Sequence, residues 1–201
     1  MSEPRTLDVS GLPPGAFGSR TLTFWGTLGM VVIEGTVFAL TIGAYFFLVT
    51  RFPDWPPDGV ANPDLRWGTI NTLILFASLV PNELARRAGE RVNLRGVRLW
   101  LVVALAFAAA FNIVRVYEFA HLNVMWDRDA YGSIVWLLLG LHTTHIVTDF
   151  LDSCVLTALM FVGPIEEHRF VDVEENAVYW YFVVLAWLPI YGVIYWAPRV
   201  L

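Results

Sequence analysis

The chain reads as an all-α polytopic membrane protein, a bundle of five transmembrane helices with the N-terminus cytoplasmic and the C-terminus outside. Three observations predict this. Hydrophobic residues make up 57% of the 201 and charged residues 15%, and nine are tryptophan, a composition outside the ordinary soluble class. Several uninterrupted apolar runs approach or exceed the roughly 20 residues a helix needs to cross a bilayer. Short polar stretches rich in proline, glycine or arginine separate them, as loops would. A polar tail therefore occupies 1–20 and a five-helix membrane domain 21–201. The net charge of -5 and the lack of a basic aromatic patch give no sign of a nucleic-acid partner. Cys154 is the only cysteine, so neither an intrachain disulfide nor a thiolate cluster is available. The apolar run behind the tail is too long for the core of a signal peptide, so the tail is not read as a cleavable leader.

Helix 1 runs from about Thr21 to Val49, with Ser19 or Thr21 as cap and Arg51-Phe52-Pro53 as stop. Its only charge is Glu34, near the middle. The connector to Arg66 holds four prolines and three aspartates, with Trp55 and Trp67 as expected interfacial anchors. Helix 2 runs from about Trp67 to Leu84, bent near Pro81. Glu83 to Arg98 reads as a polar, arginine-rich hairpin. Helix 3 runs from about Gly96 to Ala120, Ala-rich in its middle, which suits close helix approach. Near its end Arg115 and Glu118 stand three apart, the spacing of a local ion pair. Helix 4 spans about Tyr131 to Val162 and helix 5 about Ala177 to Trp196, with Pro189 interrupting its hydrogen-bond ladder. Glu166-Glu167-His168 and Glu174-Glu175 read most simply as a solvated acidic loop.

All thirteen basic residues are arginine. Arg5, Arg20, Arg86, Arg87, Arg91, Arg95, Arg98 and Arg169 fall on the side of the N-terminus. Arg51, Arg66, Arg128 and Arg199 fall on the other, and Arg115 is intrahelical. Eight against four places the N-terminus inside.

Helix 4 carries the densest chemistry. His142, His145, Asp149 and Asp152 follow one another at steps of three, four and three, which sets all four on one helical stripe. Ionisable groups at membrane depth must face protein, water or a partner. A bis-histidine haem would need two histidines at matched depth on different helices. His142 stands about 16 Å inward of Tyr131 at 1.5 Å per residue. His121 ends helix 3 and His168 follows helix 4, so neither matches it. The simplest reading is a hydrogen-bonded polar seam between helices, with Glu34 packed against it. A metal site built from His142, His145 and Asp149 would need further ligands, such as Glu34. Proton exchange at Glu34, or a proton path along Asp149 and Asp152, also remains open. No Walker loop, nucleophile elbow or zincin motif is present.

These residues resemble a known family. Phe24 to Glu34 and on to Ala44-Tyr45-Phe46 is similar to a family helix with a buried glutamate, and Asn71-Thr72-Leu73 to a Leu-Asn-Thr segment. Glu118 occupies the glutamate position of a Glu-Tyr pair, with Arg115 and Phe119 as altered neighbours. Tyr131-Gly132-Ser133 and Gly140-Leu141-His142-Thr143-Thr144-His145 match a Tyr-Gly-Ser and Gly-Phe-His-Gly-x-His signature. Glu174 and Tyr179-Trp180-Tyr181-Phe182 with Trp187 match the last helix. In order, from Thr23 to Trp196, they resemble subunit III of the haem-copper cytochrome c oxidases in a short, five-helix form. Departures stand at Tyr181, where the family has histidine, at Val184, where it has aspartate, and at Asp149 and Asp152.

The resemblance implies a non-catalytic subunit with no metal or cofactor of its own. Haem and copper are expected in the partner subunits: the catalytic subunit I and subunit II. Bound phospholipid in a cleft, a role in oxygen and proton access, and a place in the inner membrane of a bacterium are implied too. Glu34, His142, His145, Asp149, Glu118 and Glu174 would form the buried polar framework. Trp25, Tyr45, Trp180 and Trp187 would face lipid or subunits. Two rivals stay open: an accessory subunit of nitric oxide reductase, and a small proton-coupled transporter using Glu34 and Asp149.

Overall fold

In the computed structural model, residues 22–165 and 168–201 are described; the expected tail at 1–20 lies outside them. Five long helices follow in order: α1 (Leu22–Val49), α2 (Leu65–Glu90), α3 (Leu94–Ala120), α4 (Ala130–Val162) and α5 (His168–Tyr191). A π-helical turn, Gly192–Trp196, and a short α6, Ala197–Val200, continue α5. The principal packing runs α2 to α3, α3 to α4, α4 to α5 and α5 back to α2, a closed four-helix ring. α1 lies outside it, in the groove between α4 and α5. Its outer face stays apolar and exposed, as at Val32, Ile33 and Leu40, as lipid or a partner helix requires.

Four of the described helices are long and apolar enough to cross a membrane: Thr23–Val49, Leu94–Ala120, Ala130–Val162 and Arg169–Val200. α2 is not among them: it carries polar groups turned toward α5 and α3 and ion pairs in its last turns. Its buried positions Gly68, Asn71, Leu75, Ser78, Asn82, Ala85 and Gly89 alternate by three and four, the stripe of a packed helix. Trp187 Nε1 donates to Thr72 Oγ1 at 2.8 Å and Trp180 Nε1 to Ser78 Oγ at 2.9 Å. Asn82 Nδ2 donates to the Ala177 carbonyl at 3.1 Å and Tyr181 Oη to Glu83 Oε2 at 2.6 Å. Outward, the same helix shows Leu73, Phe76 and Val80.

Several expectations need correction. α2 does not stop at Leu84, and the connection to α3 is only residues 91–93. Glu83 pairs with Arg86 and Arg87, and Glu90 with Arg86, at steps of three and four, so the arginine-rich stretch is helical surface. So short a turn holds Val92 at φ 51°, unusual for a β-branched residue. α5 begins nine residues before the expected Ala177, so Glu174 and Glu175 are helical. The helix runs on through Pro189. Tyr45, Trp180 and Trp187 do not face lipid: all three are buried. A belt reading judges aromatic residues by their place along the helix, whereas the indole N–H groups of Trp180 and Trp187 are satisfied by α2 inside the bundle. Tyr45 instead packs edge-on against Trp55, which packs edge-on against Tyr131; Trp55 is buried too, not an interfacial anchor. Trp25 is exposed.

The start of α4 shows why Tyr131-Gly132-Ser133 reads as it does. The Asp129 side chain caps the helix by accepting from Gly132 N at 2.6 Å. A Cβ at Gly132 would sit 2.1 Å from the Met125 carbonyl oxygen, so only glycine fits. Ser133 Oγ donates to the Trp126 carbonyl at 2.6 Å, fastening the preceding loop.

Candidate functional site

The four residues of the predicted α4 stripe serve two regions. His142 points into the centre of the four-helix ring, where α2, α3, α4 and the π turn each contribute a polar group. Glu118 of α3 is the hub. It accepts from Asn71 of α2, from Tyr195 of the π turn at 2.5 Å, and lies 2.9 Å from Arg115 Nη1. Arg115 reaches His142 Nδ1 through Nη2 at 3.2 Å. His142 Nε2 faces the Val183 carbonyl at 3.1 Å. Arginine only donates and a carbonyl only accepts, so Nε2 carries the imidazole hydrogen and Nδ1 accepts. The guanidinium also lies between the rings of Phe111 and Trp187, 4.6 and 4.4 Å from their centroids, a cation–π sandwich.

This centre is dry. Asn71, Arg115, Glu118, His142, Trp187 and Tyr195 are each at most 1% exposed. One cation and one anion cancel, and Asn71, Tyr195 and His142 each reach one of the pair, while Asn71 Oδ1 and Arg115 Nε have no hydrogen-bond partner in the chain. The π turn makes it possible: three consecutive residues, Val193, Ile194 and Tyr195, are buried, which a regular α-helix face would not allow. Tyr195 lies directly on Gly68, where a Cβ would meet its ring at 2.5 Å.

The second region lies between α1 and the ring. Glu34 Oε2 accepts from Tyr179 Oη of α5 at 2.8 Å, and Oε1 lies 3.6 Å from His145 Nε2 of α4. That distance is an electrostatic contact, longer than a hydrogen bond. His145 Nδ1 meets the Leu141 carbonyl at 2.6 Å, and its ring packs on Phe38 of α1 at 4.9 Å between centroids. The side chains of Glu34 and His145 keep 19% and 14% of their exposure, so this seam is only partly closed. Beyond Tyr179 it opens into a cleft of about 470 Å³ that Asp149 and Asp152 also line. Asp149 is buried and Asp152 exposed.

Glu174, expected in the polar framework, is half-buried on α5 and does not line the cleft; its neighbour Glu175 does. Tyr195, Tyr179 and Glu175 were missed as site residues. The signal for Glu175 lay in the spacing Asp172, Glu175, Tyr179, one helical face, once 168–176 is read as helix. Nothing local marks Tyr195 as turning inward.

His142 and His145 do not fit a haem or a metal. Both ring nitrogens of His142 are engaged by Arg115 and Val183, and His145 offers at most Nε2, toward Glu34. Among the described residues no three His, Cys, Asp or Glu side chains are placed to hold an ion.

Comparison with known proteins places this geometry in a family. The family model for cytochrome c oxidase subunit III matches residues 16–198. Cytochrome c oxidase subunit 3 of Synechocystis is 25% identical over 195 residues, covering 96% of this chain and 84% of that one. The protein of the same name from Thermostichus vulcanus is 25% identical over 178 residues, 87% of each chain. That of the rabbit, Oryctolagus cuniculus, is 30% identical over 146 residues, 71% of this chain and 55% of the relative.

Proposed function

The chain belongs to the cytochrome c oxidase subunit III family, and on that premise we propose that it is the non-catalytic subunit III of a haem-copper terminal oxidase in a bacterial inner membrane. It packs beside the catalytic subunit I, with subunit II in the same complex, and steadies them during oxygen reduction and proton translocation. Haem and copper reside in those partners; this chain supplies scaffold, lipid contact and a polar seam. The observation that carries the reading is the family match over residues 16–198. The architecture is in keeping with it: the two charges of the ring centre are paired with each other, while the outer face of α1 is apolar and exposed. Phospholipid covers that face where no subunit does. All five long helices span the membrane, α2 included: Thr72, Ser78 and Asn82 reach α5 and Asn71 reaches α3, while Leu73, Phe76 and Val80 face outward. The arginine bias supports a cytoplasmic N-terminus.

The test is a mild-detergent pull-down of the tagged chain from its native membrane, followed by a reduced-minus-oxidised spectrum and metal analysis. Haem and copper with oxygen uptake are expected. Haem with non-haem iron and nitric oxide uptake, or a colourless solitary protein, would overturn the reading. Within the complex, Glu34→Ala is expected to hasten inactivation during turnover while leaving the initial rate nearly unchanged. An unaltered inactivation course would count against a stabilising role for the seam.

A further inference from the structure

A small cavity is walled by all four helices of the ring. α3 gives it an apolar side with Leu101, Leu105 and Ala108. The other three helices each give it an amide or a hydroxyl: Asn82 of α2, Ser153 of α4 and Asn176 of α5. Trp180 adds only its ring, because its N–H is already bonded to Ser78. No charged residue lines this space.

The hydrogen bonds of these three residues leave one polar atom unmatched. Asn82 is 5% exposed. Its Nδ2 donates to the Ala177 carbonyl at 3.1 Å, which fixes which end of the amide is which. Its Oδ1 then has no donor among the described residues. Asn176 Nδ2 donates to Ser153 Oγ at 2.9 Å, and Ser153 Oγ donates to Asn176 Oδ1 at 3.3 Å. That pairing uses one of the two Asn176 N–H bonds and leaves lone pairs on both residues. A buried acceptor without a donor is costly, and proteins complete such groups. The cavity sets what can do so. The space open to the centre of a water molecule is about 20 Å³, where one water needs roughly 10–15 Å³. An ion would have no opposite charge on the wall. An apolar guest would leave Asn82 Oδ1 unmatched. A single molecule that both donates and accepts fits the size and the lining.

We propose that this cavity binds one structural water, which donates to Asn82 Oδ1 and bridges it to the Ser153–Asn176 pair. The water ties α2 to α4 and α5 at a level where those helices share no direct side-chain bond to Asn82 Oδ1. Three partners are the usual number for a buried water. Asn176 also lines the larger cleft beside α1, so one side chain is the wall between the two spaces. The site is made entirely from this chain and is independent of which complex the chain joins.

The experiment is a density map of the full chain, purified in mild detergent with whatever subunits accompany it, at a resolution that shows ordered waters elsewhere in the molecule. One isolated peak is expected, roughly 2.6–3.2 Å from Asn82 Oδ1 and from a polar atom of Ser153 or Asn176. A native map with no peak there would overturn the proposal, and that test needs no variant. Xenon under pressure is the probe for an apolar guest: none is expected in this cavity, and a xenon peak displacing the water would overturn the assignment. Asn82→Leu keeps the volume and removes the acceptor. It is expected to lose the peak while the Ser153–Asn176 pair stays in place, and an unchanged peak in this variant would show that Asn82 does not hold the water. Ser153→Ala, the milder change, is expected to keep the peak on Asn82 and Asn176 at lower occupancy. A peak that stays at full strength in both variants would contradict the bridge.

Discussion

The Arg115–Glu118 centre and the Glu34–His145 seam hold similar chemistry, a carboxylate, an imidazole and a tyrosine hydroxyl, yet differ in closure. In the centre, five side chains from four elements share the polar load, and no group is more than 1% exposed. At the seam, Glu34 has one hydrogen bond and one long contact, its side chain is 19% exposed, and a wide cleft begins one side chain away. Polar groups sealed from solvent depend on one another, and removing one partner strands the rest. A seam open to a cleft tolerates incomplete matching because solvent can reach it. The first arrangement fixes how the helices pack; the second stays partly open.

That contrast orders the expected effects of mutation. Glu118→Ala strands the Arg115 guanidinium in an apolar core and is expected to cost about 3–5 kcal/mol, read as loss of the chain from the membrane or a steep fall in melting temperature. Gly68→Ala drives a methyl group into the Tyr195 ring and pulls its hydroxyl from Glu118. Overpacking of this kind costs about 1–3 kcal/mol, and the melt of the purified protein checks it. Glu34→Gln keeps an acceptor for Tyr179 and gives up only the partly exposed contact to His145. It is expected to cost less than about 1 kcal/mol, so a loss as large as that of Gly68→Ala would erase the distinction between the two regions. The smallest effect is a gain. Val92→Asn suits the left-handed backbone of the α2–α3 turn and is expected to stabilise by about 0.5–1 kcal/mol, measured in the same melts.

The outlines of α1, α3 and α4 were legible because their apolar runs are long and their ends are marked by polar residues or proline. α2 and α5 were read too short for one reason. Composition reported Glu83–Glu90 and Glu174–Asn176 as loop-like, while ion pairs and packing hold them in helix. The spacing of His142, His145, Asp149 and Asp152 revealed a stripe, and the proximity of Glu34 to it was anticipated. Its division between a sealed centre and an open cleft was not, because that depends on how α1 and the π turn sit on α4. Arg115 and Glu118 could be paired from their spacing alone. Asn71 and Tyr195, which complete the pair, lie 47 and 77 residues from Glu118 in sequence, and no local pattern links them. Trp180 and Trp187 were placed at an interface because tryptophan near helix ends usually marks one; only the register against Ser78 and Thr72 shows that they turn inward.

The most direct test of the sealed centre is a double-mutant cycle on Arg115 and Glu118, using Arg115→Met, Glu118→Leu and the pair, with unfolding followed in mild detergent. The account predicts that each single change is severely destabilising and that the double variant recovers at least about 2 kcal/mol relative to their sum, because no charge is left stranded. Additive losses would contradict it: Arg115 and Glu118 would then act separately, and the bundle would owe its packing to its apolar layers alone.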